Sequence, residues 1–218
     1  MKISLLCTNR EHPILPYLQR WKAKTERLGY LVQLCFETSQ LTEGNILFLV
    51  SCSQKIGANV QKKFNHVLVL HASDLPEGRG WSPHIWQILH GHTDITVTLL
   101  EAAKEIDAGN IWKKLTVSVP RHFLWDEIND VIFKGELKLI DWAIKNQESV
   151  EPASQNFKIK PSYWPKRTEV DSLVDKNKTL LEQFDLLRVC DPERYPAYCE
   201  IHGRKYKLKL ERFENEKK

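Results

Sequence analysis

Short apolar runs alternate with helix-spaced segments along the first two thirds of the chain. Lys2 to Cys7 reads as a strand, and Ile14 to Leu28 as an amphipathic helix that Gly29 would close. Tyr30 to Cys35, Asn45 to Val50 and Val67 to Leu70 are further apolar runs of strand length. A helix is expected from about Pro83 to His90, after the turn residues near Gly80, followed by a strand at Ile95 to Leu100. Ile111 to Val119 alternates in part, as a half-buried strand does. Trp125 to Asn146 carries Ile128, Val131, Ile132, Leu137, Ile140 and Ile144 at helical spacing. Strands that recur with helices between them predict an α/β fold: a Rossmann-like, mostly parallel twisted sheet with helices on both faces.

The pattern then changes. Residues 147–169 hold three prolines and few periodic apolar positions, the composition of a linker or extended arm. A helix near Leu180 to Val189 and a hairpin of Tyr198 to Ile201 and Lys205 to Leu210, turning at His202 and Gly203, are expected beyond it. The chain therefore divides into a domain over residues 1–147 and a C-terminal arm, helix and hairpin over 148–218. No internal repeat is visible.

Composition narrows the class. With 218 residues and 42% hydrophobic content, a buried core is feasible. The formal net charge of +4 is too small to argue for nucleic acid and suits an anionic small molecule equally well. No stretch approaches the ~20 apolar residues of a membrane span, and the apolar run at the N-terminus ends too early for a signal peptide. The five cysteines form no CxxC pair, which points to buried thiols in a reducing cytoplasm and to no metal site. No GxGxxG follows the first strand, where Cys7-Thr-Asn-Arg-Glu-His12 stands instead, so a dinucleotide oxidoreductase is disfavoured.

The densest chemistry lies in His71-Ala-Ser73-Asp-Leu-Pro76-Glu-Gly78-Arg79-Gly80-Trp81, after an apolar strand and before a helix. Ligands bind at the carboxyl ends of strands in such sheets. This run resembles the HxSxLPxxRG signature of the 10-formyltetrahydrofolate-dependent formyltransferases, which include methionyl-tRNA formyltransferase, glycinamide ribonucleotide transformylase and the sugar N-formyltransferases. Downstream, TDITVTLLEAAKEIDAGNIWKK resembles the family's second signature and puts Asp107 on its catalytic aspartate, 36 residues after His71. The resemblance covers roughly residues 1–147 and is strongest from 67 to 111. One position departs from it. The family's asparagine two residues before the histidine is Val69 here, and Asn65 lies at the far end of the strand.

The resemblance implies His71 as donor to the developing oxyanion and Asp107 as the carboxylate that supports the imidazole and orders a relay water. Ser73, Gln54 or a backbone N–H would replace the missing asparagine. The co-substrate 10-formyltetrahydrofolate would lie along Ser51, Cys52, Ser53, Gln54, Lys55 and Ile56, and along the stretch that holds Glu101 and Ile106. For the acceptor, the tail beginning near Lys158 resembles that of sugar formyltransferases. Tyr163 and Trp164 would stack on a base, Lys166 and Arg167 would meet a pyrophosphate, Arg79 and Trp81 would also bind the acceptor, and the turn at Gly78-Arg79-Gly80 would shape the pocket mouth. The expected reaction is formylation of a nucleotide-linked amino sugar for surface polysaccharide or pseudaminic-type sugar synthesis. The alternatives are methionyl-tRNA or another small amine as acceptor, or a non-catalytic nucleotide-sugar or folate binder. Nucleic acid and membrane are not expected partners, and a homodimer is left open.

Overall fold

The structure, a computed structural model, describes residues 1–213. In chain order its elements are β1 (Lys2–Leu6), α1 (Leu15–Arg27), β2 (Leu31–Cys35), β3 (Gly44–Leu49), α2 (Ala58–Gln61), β4 (Phe64–His71), β5 (Arg79–Gly80), α3 (Pro83–Leu89), β6 (Asp94–Glu101), β7 (Ile111–Ser118), α4 (Trp125–Asn146), β8 (Tyr163–Trp164), α5 (Phe184–Val189), β9 (Ala197–Ile201) and β10 (Arg204–Leu208). Six strands form one sheet in the order β2-β1-β3-β4-β6-β7. The β2, β1, β3 and β4 pairings are parallel, whereas β6 runs antiparallel to both β4 and β7. One reversed strand in an otherwise parallel sheet is the detail that apolar periodicity did not show.

Local chemistry accounts for the elements that carry the sheet. In α1, Leu15, Leu18, Trp21 and Thr25 form the buried stripe, Lys24 and Arg27 meet the negative end of the helix dipole, and Gly29 leaves the helix at φ +88. In α4, Asp126 and Glu127 occupy the first turn, and the Glu127 carboxylate accepts the Leu124 N–H at 3.0 Å. Its buried face of Ile128, Ile132, Leu139, Ile140 and Ala143 packs with α1 on a core shared with Ile3, Leu5, Ile46, Phe48 and Val97. Each aliphatic side chain withdrawn from water there contributes about 1.5–3 kcal/mol. The opposite sheet face carries Leu6, Leu47, Leu49 and Phe64 with Cys35, Leu41 and Ile56.

Several boundaries move. Strand β4 begins at Phe64, so Asn65 falls inside it, still at the end away from His71. Helix α5 starts only at Phe184, leaving Leu180 and Leu181 exposed before it, and β10 stops at Leu208. The proline-containing stretch is laid back on the sheet. Ala153 pairs with Ile111, and β8 pairs in parallel with β5. Val174, Leu187, Cys190, Ala197 and Cys199 form a separate small core under the hairpin. Four cysteines are buried and Cys52 is half-buried, all five as free thiols. No helix among the described residues is long and apolar enough to cross a membrane.

One core residue breaks the pattern. Glu136, on the buried face of α4, has an Oε2 with no hydrogen-bond partner among the described residues, and burial pushes its carboxyl up to about 8. The folded state therefore holds a proton that the unfolded chain releases near pH 4.5. Its contribution to stability is fully present below that value and is lost as pH rises towards 8. The slope is about 1.4 kcal/mol per pH unit in that window. Glu136→Gln is expected to remove this slope, so that urea denaturation from pH 5 to 8 shows the variant gaining on the wild type with rising pH. Parallel stability curves would contradict it.

Candidate active site

The parallel strands deliver their carboxyl ends to one rim, and β4 ends there on His71. The turn that follows, with a cis peptide bond at Leu75–Pro76, folds over the histidine and returns as β5. His71 is only 7% exposed. Its Nε2 lies 2.8 Å from the Gly78 carbonyl, which can only accept, so Nε2 carries the proton in this arrangement. Nδ1 then presents its lone pair to Asp107 Oδ2 at 3.6 Å. The sequence expects a histidine facing a ligand directly. The structure instead commits its N–H to the turn, because two glycines let the chain close over the ring. At Gly78 (φ +74) a Cβ would come within 2.9 Å of the Ser73 Cβ and of the Trp164 Nε1.

Asp107 arrives from the loop between β6 and β7. Its side chain is 8% exposed, its backbone is left-handed at φ +54, and its Oδ2 accepts the Gly80 N–H at 2.9 Å. A non-glycine residue held at positive φ is worth attention at a site of this kind. The aspartate thus faces the imidazole on one side and a backbone N–H on the other. Ser73 sits beneath the turn. Its carbonyl accepts the Thr98 hydroxyl at 2.6 Å, whereas its own Oγ is buried with no partner among the described residues. Two more imidazoles stand close by. Burial pushes His84 and His12 down to about 4; for His84 the charges of His12, His71 and Arg167 add to this, and for His12 that of Arg194 does. Both are neutral at pH 7, and sequence reasoning singled out neither.

Val69 is half-buried on the His71 side of β4, between Leu49 and Leu100 on the neighbouring strands. Like Cys52 and Ala102, it packs against the small core of Leu6, Leu47, Leu49 and Phe64, so the position expected to hold an amide is apolar. The two expected folate segments flank that position. Ser51 is left-handed at φ +50, the Ser53 N–H donates to Thr8 Oγ1 at 2.9 Å, and Gln54 and Lys55 are exposed. Two residues of the expected set have their side chains engaged elsewhere. Ile56 is buried in the core beside Leu49. The Glu101 carboxylate accepts Asn110 Nδ2 at 3.0 Å and Trp112 Nε1 at 3.3 Å, turned towards its own strand pair. Ile106, next to Asp107, is exposed.

The expected acceptor residues also divide. Trp81, Tyr163 and Lys166 remain open, with Lys166 Nζ 5.1 Å from the Trp81 ring centroid. Arg79 is buried, donating to Tyr163 Oη at 3.2 Å and to Gln155 Oε1 at 2.7 Å, so its guanidinium ties the turn to the arm. Trp164 lies parallel to Trp86 at 5.8 Å and its Nε1 is buried, which makes it packing for α3 in place of an open stacking platform. Arg167 donates to the Asp171 carbonyl at 3.0 Å and to Ser172 Oγ at 3.1 Å, so its guanidinium caps a turn of the arm itself. Sequence reasoning missed Gln155 and Ser162. Ser162 Oγ accepts the Gly78 N–H at 2.8 Å, and its carbonyl accepts the Arg79 N–H at 2.9 Å. Both lie in a stretch without periodicity, where pattern gives no signal. Among the described residues no group of three His, Cys, Asp or Glu side chains is placed to hold a metal ion.

No protein-family model matches the chain. Over 148 residues, 66% of its length, it is 30% identical to the methionyl-tRNA formyltransferase of Protochlamydia amoebophila, covering 46% of that protein. The chain spans about half the length of the curated relatives it matches. Among solved structures, methionyl-tRNA formyltransferase from Clostridium thermocellum superposes with a TM-score of 0.82 at 20% identity, over 100% of this chain and 95% of that one. HypX from Aquifex aeolicus, solved in complex with tetrahydrofolic acid, gives 0.81 at 22% identity over 96% of this chain and 37% of that one. A 4-N formyltransferase from Francisella tularensis gives 0.73 at 18% identity over 96% of this chain and 97% of that one. These structural likenesses establish a shared fold.

Proposed function

Because this chain is related in sequence and in fold to the folate-dependent formyltransferases, we propose that it transfers a formyl group from 10-formyltetrahydrofolate to an amine, and that the amine belongs to a nucleotide-linked amino sugar. The observation that carries the reading is the buried His71–Asp107 pair at the rim of the sheet, with the Gly80 N–H on the same carboxylate oxygen. The residues fit a folate. Val69 is apolar and half-buried at the end of β4, and the exposed 53–55 segment after β3 offers polar backbone.

The reaction forms a nitrogen–carbon bond to the acceptor and breaks the one to the donor nitrogen. The amine loses a proton and the donor nitrogen gains one, so no net proton is consumed. Negative charge develops on the formyl oxygen in between, and a donor aimed at it lowers the barrier. The Nε2–H of His71 is that donor once the formyl oxygen takes the place of the Gly78 carbonyl. Its Nδ1, facing Asp107, is where a proton from the amine is held, because the carboxylate stabilises the imidazolium. Ser73, whose hydroxyl is buried and unpartnered, supplies the second donor that Val69 cannot.

The sugar nucleotide reading is supported by the open group Trp81, Tyr163 and Lys166 beside the catalytic turn, an aromatic surface with one cation. Methionyl-tRNA as acceptor is favoured by the names of the sequence relatives. Calorimetric titration with a nucleotide-linked 4-amino sugar and with methionyl-tRNA separates the two. Saturable binding of the sugar nucleotide is expected, weakened by Trp81→Ala and little changed by Arg167→Ala. Binding of methionyl-tRNA alone, with a steep salt dependence, would overturn the choice of acceptor.

A further inference from the structure

Asp107 is held by more than its own loop. The side-chain amide of Gln155 lies where that loop bends, and its Nε2 donates to the Asp107 carbonyl at 2.7 Å and to the Gly109 carbonyl at 3.0 Å. A carboxamide has two N–H donors in one plane, which matches two carbonyls turned to the same side of a tight bend. The oxygen of the same amide accepts Arg79 Nη2 at 2.7 Å. Arg79 precedes Gly80, the residue whose N–H binds Asp107 Oδ2. Gln155 therefore grips both partners of that contact, the aspartate through its backbone and the glycine through its neighbour. It does so from the arm, 48 residues away in sequence.

We propose that Gln155 is a positioning residue for formyl transfer, fixing Asp107 in its left-handed conformation so that Oδ2 faces both His71 Nδ1 and the Gly80 N–H. The proposal rests on the reading of His71 and Asp107 as the reacting pair. A left-handed non-glycine residue is strained and persists only where its surroundings over-determine it; the two Gln155 hydrogen bonds are such surroundings. The contact they protect is a sensitive one. At 3.6 Å the His71 and Asp107 side chains are at the limit of a direct interaction, and a displacement of about 1 Å at a reacting group can cost about 10²-fold in rate.

The substitution Gln155→Glu separates this role from simple packing. It keeps an oxygen acceptor for Arg79, loses both donors and sets a carboxylate oxygen against two carbonyls. Gln155→Asn keeps the amide but shortens its reach. Steady-state kinetics are expected to show kcat lowered by about 10- to 100-fold in Gln155→Glu, and less in Gln155→Asn. KM for 10-formyltetrahydrofolate should stay within about twofold, in protein shown to be folded by circular dichroism. The second readout is independent of turnover: amide hydrogen exchange at Gly80, whose N–H loses its fixed acceptor, is expected to speed up in Gln155→Glu. Wild-type kcat, a change confined to KM, or unchanged Gly80 exchange in folded Gln155→Glu would overturn the proposal. If the wild type transfers no formyl group to any amine, the functional reading fails, and Gly80 exchange alone then decides whether Gln155 holds Asp107.

Discussion

Replacing His71 by alanine is expected to lower the rate of formyl transfer by about 10²- to 10³-fold or more, with the protein still folded. The imidazole closes the end of β4, but the strand is held by Leu68 and Leu70 on one face and by its pairing with β3 and β6. Structurally the change leaves the buried Gly78 carbonyl without its partner, a loss of about 1–3 kcal/mol. In the proposed reaction it removes both the Nε2–H donor and the Nδ1 acceptor. Asp107→Asn is the complementary change. An amide oxygen can still accept the Gly80 N–H, but the negative charge facing Nδ1 is gone. It is expected to lower kcat with KM for the folate nearly unchanged, the pattern of an interaction made chiefly in the transition state. Near-wild-type turnover in folded His71→Ala would remove the histidine from the chemistry, and a pure KM effect in Asp107→Asn would make the aspartate a binding group.

The largest expected loss of stability lies two residues beyond the aspartate. A Cβ at Gly109 would fall 1.8 Å from the Glu101 carbonyl oxygen and 2.7 Å from its carbon. Both are backbone atoms in the ladder between β6 and β7, where the Glu101 N–H donates to the Asn110 carbonyl at 2.8 Å. No rotamer relieves such a contact; the loop must leave the strand. Gly109→Ala is therefore expected to cost about 3 kcal/mol or more, read as a lowered midpoint in urea denaturation. It should disturb Asp107 as well, since Gln155 holds both carbonyls. Gly57→Ala is the control, because a Cβ there meets nothing within 4 Å. A stability change within about 0.5 kcal/mol for Gly109→Ala, the range of an ordinary surface substitution, would show that the loop moves freely.

The elements whose burial follows a period were legible in the sequence. Helix α4 occupies Trp125–Asn146, the span that its apolar spacing marks out. Strands β1, β2 and β3 fall within a residue of the apolar runs that announce them. The direction of β6 was not legible, because a strand buried on both faces reads the same in either sense. At the site, the motif residues His71 and Asp107 do meet, but what holds them was hidden. Gln155 and Ser162 act through single hydrogen bonds from an irregular arm, and such contacts leave no periodic trace. Adjacent residues in that arm also have opposite fates. Tyr163 is exposed while Trp164 packs on Trp86, and Lys166 is open while Arg167 caps a turn. A run of aromatics and cations records composition; which of the two aromatics faces outward follows from the β5–β8 pairing.

The measurement that bears most directly on the proposed function follows the formyl group itself. Wild-type protein would be incubated with 10-formyltetrahydrofolate carrying a ¹³C label in the formyl carbon and with a nucleotide-linked 4-amino sugar, and the label traced by NMR. The ¹³C signal is expected to move to an N-formyl amide on the sugar, at a rate that collapses in His71→Ala. Label that remains on the folate, or that is released as free formate while the amino sugar stays unmodified, would contradict it.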